Sequence, residues 1–550
     1  MAIWHDHYPK GIHPQIDVEN YTSILDLISK TVQKYGPKPA FSNMDITLSY
    51  QEVDHLSDYF ASYLIHKCGL KKGDRIALQM PNVLQFPVAL FGAIKAGLIV
   101  VNTNPLYTER EMEHQFKDSG AKAIVILANF ASNLEKIISK TNIEHVIVTE
   151  IGDLFPSVKR FLVNNVVKYI KKMVPSYNLP QAKYFLTVLE EGKQYEFSPV
   201  VCQREDIAFL QYTGGTTGVS KGAMLTHGNI IANMNQIFAW MAPKFVEGEE
   251  IIITPLPLYH IFSLTVNCLA LMCYGGHNIL ITNPRDIPDF IKTLKKYPFT
   301  VMSGVNTLYN ALLNHKDFSS VDFSHTKLSV AGAMALQDVV AKRWYEITGT
   351  KVIEGYGLTE ASPVICCNPT DDSEQRGTVG LPLPNTEVKL LNEEGQEVAL
   401  GQPGELCCRG PQVMKGYWER PEETANAIRQ GWLHTGDMAI MKEDGFFKIV
   451  DRIKDMIIVS GFNVYPNEIE DVMAQHPAVL ECAAIGVPDE KSGEVVKLFV
   501  VKKADVSENE LRDFAKKSLT AYKIPRSVEF RDELPKSNVG KILRRKLRPS

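Results

Sequence analysis

Between Arg75 and Leu127 the chain switches repeatedly between short, wholly apolar runs and stretches with a single apolar face, and this alternation restricts the fold more than any other feature. Arg75-Ile76-Ala77-Leu78 reads as a strand and Phe86 to Ala96 as a helix ended by Gly97. Ile99 to Asn102 is a second strand, Glu109 to Ser119 a helix ended by Gly120, and Ala123 to Leu127 a third strand. Such alternation builds a parallel sheet wound by helices, so the expected class is α/β. From Gly380 to Arg409 the pattern changes to short strands broken by Gly and Pro, among them Val388 to Leu391 and Gly404 to Leu406, which predicts a small β-barrel or sandwich. Beyond Asp451 the chain reads as a compact α+β unit. There Ser507-Glu508-Asn509-Glu510 forms a capping box that opens a helix to about Leu519, flanked by strands around Leu498 to Val501 and Val528 to Phe530.

A chain of 550 residues has room for roughly three to four compact units. Its net charge of −4 gives no overall attraction to nucleic acid. The nine cysteines include no Cys-x-x-Cys spacing, and the two adjacent pairs, Cys366-Cys367 and Cys407-Cys408, suit neither a zinc site nor an ordinary disulfide, so the thiols are read as reduced and cytosolic. No secretory leader is read in the first 21 residues. The longest apolar run, Ile261 to Cys273, is shorter than the ~18 to 20 residues that cross a bilayer. It reads as a buried core helix or as one wall of an acyl pocket beside His260.

Chemistry enters with Tyr212-Thr213-Gly214-Gly215-Thr216-Thr217-Gly218-Val219-Ser220-Lys221-Gly222. Glycines let backbone N–H groups close on phosphate oxygens, the Thr hydroxyls add donors or a metal ligand, and Lys221 adds a mobile charge. A flexible surface turn would use the same residues. The Walker pattern is absent, because Lys221 lies between Ser220 and Gly222. In Gly355-Tyr356-Gly357-Leu358-Thr359-Glu360 an aromatic turn can face adenine, and Glu360 can hold Mg²⁺. Asp437, in Gly431-Trp432-Leu433-His434-Thr435-Gly436-Asp437, can accept both hydroxyls of a ribose.

The order of these segments, continued by Asp451-Arg452-Ile453-Lys454 and Pro535-Lys536-Ser537-Asn538-Val539-Gly540-Lys541, resembles the adenylate-forming superfamily of acyl-CoA synthetases, firefly luciferase and nonribosomal adenylation domains over about residues 25 to 548. The run Gly431 to Lys454 is similar to the signature of the fatty-acyl-CoA synthetases, and the bacterial long-chain fatty acid CoA ligases are the branch it looks most like. The resemblance implies an N-terminal adenylation domain over 1–450, a hinge at 451–454 and a small mobile C-terminal domain over 455–550. It implies Thr213 and Glu360 at Mg²⁺, Gly332-Ala333 and Gly355 to Gly357 at adenine, Thr359 at phosphate, and Asp437 with Arg452 at ribose. Lys454 becomes the turning point, Gly461 the lining of a pantetheine tunnel, and Lys541, with Lys221, Glu360 and Mg²⁺, the catalytic set. Arg544, Arg545, Lys546 and Arg548 are left as a solvated tail or as attraction for CoA phosphates.

The implied reaction joins a fatty acid to coenzyme A at the expense of ATP, through an acyl-AMP. Apolar residues in Val301 to Leu313 and Ile261 to Leu271 suit an aliphatic chain, although packing gives the same composition. An aryl-CoA ligase of the 4-coumarate type and a non-enzymatic nucleotide sensor are the competing readings. Lys159 to Val174 carries five basic and no acidic residues, with Val163, Val166, Val167, Ile170 and Val174 at helical spacing. That pattern predicts a cytoplasmic protein held peripherally on the anionic inner face of the cell membrane. A homodimer is compatible with this reading.

Overall fold

The computed structural model describes residues 2–213, 220–537 and 539–548, so Gly214, Gly215, Thr216, Thr217 and Gly218 of the glycine-rich run lie outside the described residues. Strands Arg75–Gln79, Ile99–Asn102 and Ala123–Leu127 form as the alternation predicts. They pair in parallel with one another and with His145–Thr149 and Ile207–Thr213 in an eight-stranded sheet. Helix Glu109–Ser119 is delimited locally at both ends: Thr108 and Glu111 form a reciprocal capping box, and Gly120 closes it in the left-handed region.

A nine-stranded sheet carries a second parallel core, built from Val352–Gly357, Leu328–Ala331, Val301–Gly304, Ile251–Thr254 and His277–Leu280. Antiparallel strands Glu387–Leu391, Gly404–Arg409, Trp432–Met441 and Phe447–Arg452 make the third sheet. Among the described residues its strand pairs follow an open path and do not close the expected barrel.

The C-terminal part has its own core. Two apolar clusters draw all their members from residues 457 to 547, packed around a sheet led by Val479–Asp489 and Gly493–Lys502. The Ser507 capping box is present as predicted, but the helix stops at Ala515 and a turn carries Leu519 back into this core.

Two helical expectations change in detail. Ser263–Leu271 is buried along its whole length and is wound as a π-helix. In the basic segment, α-helix Ser157–Asn165 passes into π-helix Val166–Ile170, which offsets the spacing read from the sequence. Val163 and Val167 consequently pack against the large core, while Val158, Phe161, Leu162, Tyr169, Ile170 and Met173 are exposed. The outward apolar face is therefore a different one from the predicted stripe, with Ile170 alone in common. No helix among the described residues is long and apolar enough to cross a membrane.

Candidate active site

A β-bulge builds the centre of the site. Strand Trp432–Met441 pairs with Gly404–Arg409 on both sides of Thr435-Gly436-Asp437, and the register slips there because these residues face Leu406 alone. Gly436 takes φ +72°, Thr435 Oγ1 donates to the Leu406 carbonyl at 2.7 Å, and Glu405 Oε1 accepts the Gly436 N–H at 3.0 Å. A bulge re-aims its side chains, and here it presents Asp437. The Tyr356 hydroxyl donates to Asp437 Oδ2 at 2.7 Å and Arg452 Nε pairs with Oδ1 at 3.2 Å. Three separate sequence motifs thus converge on one carboxylate.

Gly355-Tyr356-Gly357 is not the expected turn but the end of strand Val352–Gly357, and at its second glycine an added Cβ would lie 1.9 Å from the Pro363 carbonyl oxygen. Gly332 faces the Phe262 ring, and Ala333 sits in the left-handed region at φ +66°. Thr359 opens the short 3-10 turn that also carries Glu360.

Thr213 Oγ1 approaches Glu360 Oε1 at 3.4 Å, and Glu360 is buried. A hydroxyl and a carboxylate oxygen brought together are hard ligands of the kind Mg²⁺ takes alongside phosphate and water, so the pair fits that ion. Sequence reasoning missed Tyr417, whose hydroxyl donates to Glu360 Oε1 at 2.7 Å and whose ring lies 5.4 Å from Lys221 Nζ. Tyr212 donates to Asp118, which also binds Arg420, so it supports the start of the glycine-rich run from beneath. Gly222 packs against the Tyr212 ring.

Lys541 enters from the C-terminal part on a tight hairpin, with the Ser537 N–H donating to the Lys541 carbonyl at 2.7 Å. Thr307 anchors that hairpin to the large body through the Gly540 carbonyl at 3.0 Å. Withdrawal from water, followed by the nearby Arg452 charge, pushes the Lys541 ammonium down to about 8. His260 is half-buried beside it; desolvation and then Lys541 lower its imidazole to about 4. It is therefore neutral at pH 7 and belongs to the cleft that receives Lys541.

Gly461 is not in this cluster. It lies exposed at φ +83° between strands Ile457–Val459 and Phe462–Val464, with nothing within 4 Å of an added Cβ. Lys454 is also exposed, and its carbonyl accepts from Arg548 at 2.9 Å.

The basic tail departs from expectation. Arg544 is half-buried in a network with Asp451 Oδ1 at 3.1 Å and both oxygens of Glu470 at 2.9 and 2.7 Å. Its partners were unreadable because they come from segments far away in sequence. A cavity of about 910 Å³ between Trp4, Val388, Trp432 and Phe447 contains none of the candidate site residues.

Comparison with known proteins identifies the family and the fold. The profile of the AMP-binding enzyme family matches residues 28–418, and that of the AMP-binding enzyme C-terminal domain matches residues 468–541. The chain is 56% identical over 547 residues to a long-chain-fatty-acid–CoA ligase of Escherichia coli O157:H7, covering 99% of this chain and 98% of that one. It is 38% identical to the enzyme so named in Bacillus subtilis, covering 99% and 97%. Among solved structures, the anthranilate CoA ligase AuaEII in complex with anthranoyl-AMP aligns at TM-score 0.85 and 26% identity over 97% of this chain and 98% of that one. ATP-bound MatB from Rhodopseudomonas palustris aligns at TM-score 0.81 and 28% identity, covering 95% and 98%.

Proposed function

The chain belongs to the AMP-binding enzyme family, and from that premise we propose that it joins long-chain fatty acids to coenzyme A through an acyl-adenylate, releasing AMP and pyrophosphate. The observation that carries this reading is the meeting of Asp437, Tyr356, Arg452 and Lys541 at one cleft, drawn from four segments of the chain. Both substrates of the first step are anionic. Attack on the α-phosphate therefore needs cations where charge develops, and Lys541 and Lys221 supply them. Thr213 and Glu360 would hold Mg²⁺, whose chemistry is to neutralise phosphate charge. Asp437 with Arg452 orients ribose, while the backbone of Gly332-Ala333 and of Gly355 to Gly357 lines the adenine. His260, held neutral, can face the fatty carboxylate without adding charge. In the second step the CoA thiol attacks the mixed anhydride, with Gly461 lining the approach after the small part turns about Lys454.

A pyrophosphate-release assay across long fatty, aromatic and short acids tests the substrate class. Pyrophosphate release with long-chain acids is expected, and thioester only when CoA is added. Faster turnover of cinnamate-type acids than of any fatty acid would refute the assignment and favour an aryl-CoA ligase.

The outward apolar face of residues 157–173 is proposed to rest on an anionic membrane, with Lys168, Lys171 and Lys172 beside it. Lys159 is engaged with the Met44 carbonyl and so contributes less. Replacing Lys168, Lys171 and Lys172 by Gln should weaken binding to anionic vesicles by up to about 10²-fold at low salt, at ~1 kcal/mol for each charge. Sedimentation with anionic and neutral vesicles measures it. A bound fraction that does not change removes the charges from the interaction.

A further inference from the structure

A second constellation lies on the same pair of strands as Asp437, and the nucleotide chemistry does not use it. Glu405 and Cys407 are two apart on strand Gly404–Arg409 and so project to one face, and His434 is the direct cross-strand partner of Cys407. His434 Nδ1 lies 2.8 Å from Glu405 Oε2 and 3.3 Å from Cys407 Sγ, and the three ligand atoms all fall within 4.8 Å of one another. Cys407 is fully buried, while the His434 and Glu405 side chains keep 12% and 21% exposure.

One Nδ1 proton serves both neighbours only by sharing: it donates to Glu405 and makes a bifurcated contact with the weakly accepting Cys407 sulfur, while a bare Nδ1 that accepts from the thiol turns its lone pair toward the carboxylate. A divalent cation at the centre would take electron pairs from sulfur, nitrogen and oxygen together.

We propose that Glu405, Cys407 and His434 form a binding site for a zinc-class divalent metal, with three protein ligands and a fourth position open to solvent. The mixed thiolate, imidazole and carboxylate set suits Zn²⁺ and selects against Mg²⁺, which prefers oxygen alone. Burial and then the Glu405 carboxylate push the Cys407 thiol up to about 12, against the smaller opposing effect of Lys389 and Arg429, so its proton must leave as the metal binds. Glu405 joins this cluster to the nucleotide site, since its other oxygen accepts the Gly436 N–H next to Asp437.

The test is a Co²⁺ titration of the full-length protein, first stripped with a chelator and kept free of ATP and Mg²⁺. One equivalent should bind with the intense absorption of a cobalt–thiolate bond, and Zn²⁺ should displace it. Cys407→Ser should lose that absorption. His434→Gln, which keeps the thiol, should weaken binding by at least about tenfold. No thiolate absorption in the wild type overturns the proposal. So does absorption that persists unchanged in Cys407→Ser, because another of the nine cysteines would then be the ligand, and so does an affinity of His434→Gln equal to that of the wild type, because His434 would then not be a ligand. The wild-type titration and the His434→Gln titration each decide the question even if Cys407→Ser does not fold. Binding is read without turnover, so its outcome is independent of the acyl-CoA ligase reading.

Discussion

Replacing Lys541 with alanine is expected to slow acyl-adenylate formation by about 10²-fold or more, the scale on which one electrostatic donor at a transition state acts. Conversion of supplied acyl-adenylate and CoA to thioester should survive. The structure places Lys541 on a hairpin anchored by Thr307 and close to Arg452 and Asp437, where a cation can meet the phosphate. The same surroundings predict a pH dependence. The ammonium, pushed down to about 8, is charged below that value and neutral above it, and the charged form is the active one. For the free enzyme, kcat/KM for ATP should therefore fall as pH rises through about 8. Bound phosphates stabilise the charge, so the corresponding fall in kcat lies at higher pH. Lys541→Arg stays charged throughout and should lose the alkaline limb even if its absolute rate is low. Single-turnover measurements of the two half-reactions decide the first point; equal slowing of both by Lys541→Ala would mean that one fixed arrangement performs both steps.

The complementary result is expected for Gly461→Leu, which should lower thioester formation by about 10²-fold while sparing adenylation, since a near-ångström misplacement alone costs that much. In the arrangement seen here Gly461 faces solvent with open space around it, so bulk at this position does not disturb the cleft that holds Lys541. It matters only after the small part has turned and the pantetheine arm must pass. The left-handed backbone complicates the reading, because any L side chain there costs roughly 1–2 kcal/mol. Gly461→Ala carries the same strain with little bulk and serves as the control. A thioester rate equally low in both variants would trace the defect to backbone strain and count against a tunnel.

What could be read from the sequence was what the chain encodes locally. The strands from Arg75 to Leu127 and the helix capped by Thr108 and Gly120 depend on neighbours within a few residues, and they appear where periodicity puts them. The Asp437 run was legible for the same reason, being a contiguous stretch with its own chemistry, whereas Gly355-Tyr356-Gly357, expected as a turn, continues strand Val352–Gly357 because its backbone pairs with Val364–Cys367. Pairings across the fold were not. Tyr417 reaches Glu360 across 57 residues, Arg420 reaches Asp118 across 302, and Arg544 reaches Asp451 across 93. No local pattern distinguishes such an arginine from a solvated one. The basic helix failed differently. Its residues were identified, but π-winding from Val166 to Ile170 rotated the outward face away from a stripe counted at 3.6 residues per turn.

Arg544 touches both sides of the turning point, with Asp451 before Lys454 and Glu470 after it. The two attachments have different fates when the small part turns: the grip on Glu470 is internal to that part and travels with it, whereas the grip on Asp451 has to let go. Asn467, whose N–H donates to Asp451 Oδ2 at 2.9 Å, must release together with it. If the small part turns as proposed, Arg544 acts as the pawl of a ratchet, engaged on Asp451 while Lys541 is in the cleft and lifted for the second step, and its grip would set the dwell time of the lysine three positions upstream.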